Sequence, residues 1–338
     1  MSKIGIIGDM HMKPFLTYAD NVKDRREGEV KEVLDFITKE FVSCDSVVFM
    51  GDLLNARNNQ SEVIRRLVSF LESFSGKEVF VIAGNHELSS DGSSALDFLK
   101  EIKNPKWHII TNKVEKFGNL VFCPYFKNPE LEASSNEEGR DRLMAMLPEG
   151  DILFVHHALS CSITDSGTST DAFNEIVLQK EALKKKFKCI VAGHIHAPSI
   201  EDKIVITGSI FRNEMNEVPK RLWVVDSDTL GFTSQTIPGR TLQKIENPKP
   251  SALENFPNNS IFKIVLTDPD SKEEVSELKR ALKRFDGYIL LEQYPNERKK
   301  VISESNLLEF NVEEMLESYA IQKKIDPKKL LEAFKLIK

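Results

Sequence analysis

Cysteine is scarce and unpaired in this chain: the four residues, Cys44, Cys123, Cys161 and Cys189, lie far apart and form no CxxC. A disulfide framework and a structural zinc site are thereby excluded, and buried thiols are expected. Long apolar runs are also missing. No stretch approaches the roughly 18 residues of a membrane span, and Met1 to Asp9 lacks a positive segment followed by an apolar one, so a cytoplasmic protein is expected. Excess positive charge is absent too. With 46 Lys and Arg against 52 Asp and Glu, the net charge of −6 argues against coating nucleic acid by bulk electrostatics. It leaves room for a nuclease whose metal ions supply positive charge locally. There is no internal repeat and no low-complexity tract.

What remains is the composition of a soluble globular chain, 41% hydrophobic and 29% charged, too long at 338 residues for one compact core. Short β-branched runs alternate with helical stretches through the first two thirds, the pattern of a layered α/β domain. Strands are expected at 3–8, 45–50, 78–83, 120–124, 151–155, 188–192, 203–207 and 222–226, and helices at 27–41, 61–74, 94–102, 137–147 and 174–187. Prolines among polar residues mark a linker over 246–259, followed by a β-α-β unit (strand, helix with Val275, Leu278, Leu282 and Phe285 on one stripe, strand). The chain ends in two short amphipathic helices, one presenting Met315, Leu316 and Tyr319, the other Leu330 and Phe334. Each is too short to persist alone, so each stripe must be buried, either on the chain's own small β-α-β unit or in the groove of a partner.

Chemistry gathers where the strand-like runs stop. They end in Asp9-Met10-His11, Gly51-Asp52, Gly84-Asn85-His86, His156-His157 and Gly193-His194-Ile195-His196. Loops at the carboxyl ends of strands are where such sheets bind ligands. Of seven histidines, only His108 stands outside these loops, and a structural role is expected for it. Carboxylate, amide oxygen and imidazole together suit borderline divalent ions. Asp52 is a natural bridge, since each carboxylate oxygen can serve one ion, and two ions could clamp a phosphate and activate water. His156 and His157 cannot easily both face one ion from an extended segment. Counting along the strand favours His156, leaving His157 behind it or on the phosphate.

The order Asp-x-His, Gly-Asp, Gly-Asn-His, His, Gly-His-x-His resembles the calcineurin-like metallophosphoesterase superfamily over roughly the first 210 residues. The resemblance implies a two-sheet β-sandwich core flanked by helices and two divalent ions, manganese first, with magnesium, iron or zinc as alternatives. It implies that Asp9, His11, Asp52 and His196 hold one ion, and Asp52, Asn85, His156 and His194 the other. His86 would be the catalytic acid that protonates the leaving oxygen beside the bridging Asp52. Gly51-Asp52-Leu53-Leu54-Asn55-Ala56-Arg57 departs from the Gly-Asp-x-x-Asp-Arg-Gly of the serine/threonine phosphatases. Thr207-Gly208-Ser209-Ile210-Phe211-Arg212, with Glu217 beyond it, is similar instead to a segment of the SbcD-type nucleases.

That branch implies a phosphoesterase domain (1–245), a linker (246–259), a small capping domain (260–300) and a two-helix segment (307–338) that binds an SbcC-type SMC-like ATPase. Phage members are closest in length and ending, which would put the protein in the host cytoplasm. DNA is the expected substrate, an exonuclease or endonuclease subunit in recombination or repair the expected role, and a homodimer the expected state. Lys13, Arg25, Arg26, Arg57 and Asn58 are the candidate DNA contacts. Asn55 stands where many relatives have Asp or His, and Glu87 where the nuclease branch has Asp, which bears on how His86 is oriented. The alternatives are a small-molecule or cyclic-nucleotide phosphodiesterase and a non-catalytic scaffold for DNA or ATPase.

Overall fold

A computed structural model describes residues 2–22, 26–267 and 272–293 of the chain. Four strands open the fold: β1 (Lys3–Ile7), β2 (Ser46–Phe49), β3 (Glu78–Ile82) and β4 (Trp107–Ile110). They lie parallel and side by side, with α1 (Glu27–Glu40) after β1, α2 (Ser61–Glu72) after β2 and the short α3 (Phe98–Glu101) after β3. A second sheet follows from β5 (Glu115–Phe117), β6 (Leu120–Cys123), β7 (Ile152–Val155), β8 (Cys189–Ala192), β9 (Ser199–Glu201) and β10 (Ile204–Ile206), with α4 (Asn136–Met146) and α5 (Lys180–Lys184) in its crossovers. The strands β11 (Arg221–Asp226) and β12 (Phe232–Thr236) return to the first sheet, whose order is β12-β11-β1-β2-β3-β4. The second runs β5-β6-β7-β8-β10-β9.

Strand alternation sorts the side chains into layers. Ile4, Ile6, Val48, Phe80 and Ile82 face a central core shared with Ile152, Phe154, Val191 and Val205 of the second sheet. Their neighbours Val47, Phe49, Val79 and Val81 pack instead against α1 and α2 through Val33, Ile37, Leu67 and Phe70. Leu153, Val155 and Ile190 meet Leu143 of α4 and Leu183 of α5 on the outer face. Successive residues of a strand point to opposite faces, so strands covered on both sides read as unbroken apolar runs. The expected two-sheet α/β sandwich with flanking helices is what forms.

Beyond it lies a third, all-parallel sheet, β13 (Leu242–Glu246), β14 (Ile261–Thr267) and β15 (Gly287–Gln293), in the order β13-β14-β15. The helix α6 (Lys272–Leu282) covers it, burying Val275, Leu278 and Leu282 against Phe262, Ile264 and Phe285. This is the expected β-α-β unit, extended by β13, a strand that no apolar run marks in the sequence. The proline-rich connector contributes as well, since Leu253 is buried in the same core.

Two helices are shorter than expected. The stretch 174–187 is helical only over Lys180–Lys184, because Ile176 and Leu178 are buried in alternation while Leu178 N–H donates to Ala158 O and Ser160 N–H to Leu178 O. The stretch 94–102 reduces to Phe98–Glu101. Cys161 is exposed, unlike the other three cysteines, since it belongs to a polar loop rather than to a strand. Among the described residues no helix is long and apolar enough to cross a membrane. Arg25, the C-terminal helices and their residues Met315, Leu316, Tyr319, Leu330 and Phe334 lie outside the described residues.

Candidate metal centre

The loops that follow β1, β2, β3, β7 and β8 meet at one edge of the sandwich. Their backbones interlock before any side chain is considered. Met10 and His11 N–H both donate to Asp52 O at 3.0 and 2.7 Å, Met12 N–H to Leu53 O at 2.8 Å, and Tyr125 N–H to Ala83 O at 2.9 Å. Gly84 is required by close approach: a Cβ there would stand 2.1 Å from Asp52 Oδ1. His11, Asp52 and His194 adopt positive φ (45°, 48° and 75°), a left-handed conformation costing a β-carbon-bearing residue about 1–3 kcal/mol. Packing of the surrounding loops holds that strain at three of the candidate ligands.

The side chains converge. His11 Nε2 and His196 Nε2 face each other at 2.9 Å, with Asp9 Oδ2 3.7 Å from His196 Nε2. Asp52 Oδ2 sits between two groups, 3.6 Å from His11 Nε2 and 3.5 Å from His156 Nε2. Asn85 Oδ1 lies 3.3 Å from His156 Nε2 and 2.9 Å from His194 Nδ1. Ligand bonds of about 2.0–2.2 Å place neighbouring ligand atoms about 2.8–3.6 Å apart, and all but the Asp9–His196 pair fall in that range. Asp9 Oδ2 is buried without a hydrogen-bond partner, which is costly unless something else satisfies it. Among the described residues, three sets gather ligand atoms within 4.8 Å of one another: Asp9, His11 and His196; Asp52, His156 and His194; and His11, Asp52 and His86. The donor set fits two adjacent divalent ions with Asp52 between them.

Burial and mutual charge shape the titration of the group. Burial drives His11 down to about 3, with Asp52 pulling the other way. Burial also raises Asp9. For Asp52, burial is outweighed by the charge and hydrogen bond of His156 and by His11, so its carboxyl is held below the usual range. His156 is the counterpart: burial opposes its charge, but Asp52 and then Asp9 hold it up at about 10. Its Nδ1 donates to Met50 O, which aims Nε2 at Asp52 and Asn85.

His157 lies behind this group. Its Nε2 accepts the Phe126 N–H at 3.0 Å, its ring stacks on Tyr125 at 4.7 Å, and burial lowers its pKa well below 6.5. His86 is exposed at the mouth, its N–H donating to Asp52 Oδ1 and its Nδ1 to the carbonyl of Asn55 at 2.9 Å. The backbone of Asn55, and not its departing side chain, orients that ring. His108 is on β4, paired with Glu78 at 2.7 Å and stacked on Phe80.

Glu87 serves the loops rather than His86. It is fully buried, and its two oxygens accept the N–H groups of Leu54 (2.8 Å), Asp52 (3.0 Å) and Gly84 (2.8 Å). Burial, then the charge of Asp52, push it up to about 8. Glu175, which belongs to no motif of the sequence, bonds His194 Nε2 at 2.8 Å. Nothing in the sequence marks it: Ile176, Val177 and Leu178 after it form a short apolar run, and only the fold buries Ile176 and Leu178 in alternation.

A cavity of about 340 Å³ opens over the centre, lined by Asp52, Asn85, His86, His194 and His196 together with Thr164, Asp165, Ser166, Phe173, Glu214 and Glu217. Among the proposed DNA contacts, Arg57 and Asn58 are exposed just beyond Asp52. Lys13 is half-buried and donates to Thr17 Oγ1 at 2.8 Å. Arg26 is a correction: it is 1% exposed, and its guanidinium grips both oxygens of Glu29 and the carbonyls of Thr17 and Arg212. A side chain so committed welds the loop to α1 instead of meeting a DNA backbone.

The sequence pattern of the calcineurin-like phosphoesterases matches residues 2–198, and the chain belongs to that family. A cAMP/cGMP dual specificity phosphodiesterase of Mycobacterium tuberculosis (strain CDC 1551 / Oshkosh) is 24% identical over 173 residues, 49% of this chain and 52% of its own. The chain thus spans about half the length of this curated relative. Among solved structures, a novel archaeal phosphodiesterase aligns with 69% of this chain and 99% of its own at 12% identity, with a TM-score of 0.34.

Proposed function

We propose that this chain is a metal-dependent phosphodiesterase acting on DNA, the nuclease subunit of a recombination or repair complex with an SbcC-type ATPase. The carrying observation is the position of the segment similar to the SbcD-type nucleases. Gly208 O accepts the Asp9 N–H at 3.2 Å and Ile210 N–H donates to Asp9 O at 2.9 Å, so Gly208-Ser209-Ile210 runs along the metal loop itself. A Cβ on Gly8 would stand 1.9 Å from Gly208 O, which binds the two stretches into one unit. The exposed Arg57 and Asn58, in the same connection between β2 and α2 as Asp52, suit a substrate that extends past the cavity.

Asp9, His11, Asp52, Asn85, His156, His194 and His196 would hold two divalent ions, manganese first, which would supply positive charge to a phosphoryl group and a lowered pKa to water. The chain supplies the rest. Asp52 fixes the spacing of the two ligand groups, and its Oδ1 fixes the backbone of His86. His86, held at Nδ1 by Asn55 O, turns Nε2 to the cavity; in the imidazolium form Nε2 carries the proton that passes to the leaving oxygen, and the ring is left neutral with its Nδ1–H still on Asn55 O. The C-terminal segment would seat the ATPase, and the protein would act as a homodimer in the cytoplasm.

A second reading, a cyclic-nucleotide phosphodiesterase, is favoured by the mycobacterial relative. Labelled duplex and single-stranded DNA, cAMP, cGMP and a chromogenic bis-phosphodiester, each with manganese and with or without the ATPase, separate the two. DNA cleavage by the wild type, lost in His86→Ala with metal binding retained, supports the nuclease. Cleavage of the small diesters but never of DNA, even with the partner, overturns it; loss of metal from His86→Ala would make that residue a ligand.

A further inference from the structure

His194 is gripped at both ring nitrogens. Nδ1 faces Asn85 Oδ1 at 2.9 Å, within the candidate metal group, and Nε2 faces Glu175 Oε1 at 2.8 Å. The other oxygen of Glu175 accepts the Tyr125 hydroxyl at 3.2 Å. Tyr125 is itself 8% exposed and stacks on both His157 and His194, with centroids 4.7 and 5.7 Å away. The segment carrying Glu175 is anchored on its far side by the Leu178 and Ser160 backbone bonds and by buried Ile176. The carboxylate is therefore held in place independently of the ring it touches.

A neutral imidazole carries one proton, and a carboxylate accepts it wherever it stands. With Glu175 at Nε2, the proton belongs there; Asn85 Oδ1 is itself an acceptor, so a bare Nδ1 lone pair 2.9 Å from it suits two ligands of one ion and not a hydrogen bond. Metal-binding histidines commonly donate their second N–H to a carboxylate, which sets tautomer and ring orientation and strengthens the ligand. We propose that Glu175 is the positioning residue for His194, and that it sets the affinity of the ion shared by Asn85, His156 and His194. The inference rests on the reading of these loops as a two-metal centre.

The test titrates manganese into the metal-free full-length protein by calorimetry, alongside long-range nitrogen–proton NMR of the His194 ring. Wild type should bind two ions and show His194 as the Nε2–H tautomer. Glu175→Gln keeps the size and loses the charge, and should weaken one of the two ions about 10- to 100-fold while leaving the other unchanged and mixing the tautomers. Tyr125→Phe, which removes only the donor to Glu175, should weaken the same ion to a smaller degree. A wild type that binds no divalent ion would sink the metal-centre reading itself. Two ions in wild type with Glu175→Gln indistinguishable from it, both ions weakened equally, or an Nδ1–H tautomer in wild type, would overturn the role of Glu175 alone.

Discussion

Replacing Glu87 by alanine removes the acceptor for three backbone donors at once: Leu54 N–H on one oxygen, Asp52 N–H and Gly84 N–H on the other. All three sit beside a side chain with no solvent exposure. A buried donor left unsatisfied costs about 1–3 kcal/mol, and water entering the vacated space returns part of that. The expected loss is about 3–6 kcal/mol, which in a chain of this size lowers the melting temperature by roughly 6–15 °C. Glu87→Gln keeps one oxygen. Its better orientation retains the bonds to Asp52 and Gly84 and turns an amide toward Leu54 N–H, so only one bond is lost, at about 1–3 kcal/mol. Thermal and urea unfolding of the metal-free protein at pH 9, where Glu87 is ionised, measure both values. Because the same loops carry Asp52 and Asn85, manganese affinity should fall in the same order. An alanine variant within about 1 kcal/mol of wild type, or a glutamine variant as damaged as the alanine one, would refute the claim that Glu87 holds the loops.

Asp52→Asn should weaken both ions by more than the roughly 10- to 100-fold that outer contacts are worth, since Oδ2 stands between His11 and His156; calorimetry that finds only one ion affected would deny the bridge. Arg26→Ala leaves Glu29 buried with Arg240 3.6 Å away and should cost about 3 kcal/mol or more, whereas Arg57→Ala should change stability by less than about 0.5 kcal/mol. Equal unfolding midpoints for the two arginine variants would contradict the structural role of Arg26. The metal-free protein holds His156 up at about 10, against an ordinary value near 6.5, so the stability this contributes is full below about pH 6.5 and lost as pH rises through about 10. Between those limits, an ion binding His156 must displace its proton. Calorimetry at pH 8 in buffers of different ionisation heat should therefore find about one proton released; release of none would show that His156 is neutral or is no ligand.

Much of the centre was legible in the sequence because the signals are local. An apolar run that stops at Gly-Asp or Gly-Asn-His declares a strand and the loop beyond it, and the ligand types follow by inspection. The layered fold was legible for the same reason, since β2, β3, β7 and β8 are each built on an apolar run and α1 and α2 carry helical stripes. Less legible were elements whose conformation depends on distant partners. The stretch 174–187 has helical spacing, yet Ile176 and Leu178 are drawn into the core beside Ala158, and only Lys180–Lys184 stays helical. β13 carries only Leu242 as a fully buried residue and becomes a strand because β14 offers it an edge.

By itself, the sequence determined which residues could bind metal and the order in which strands would deliver them. Tertiary structure decided what each of the others is for. Glu87 meets the backbone of Asp52 across 35 residues, Glu175 meets His194 across 19, and Arg26 is spent on Glu29 and the carbonyl of Arg212. A carboxylate or guanidinium in a sequence carries no mark of its partner. Only when the two sheets stack does a particular N–H, ring nitrogen or carbonyl come within reach, and the cost of leaving it unpaired then assigns the role.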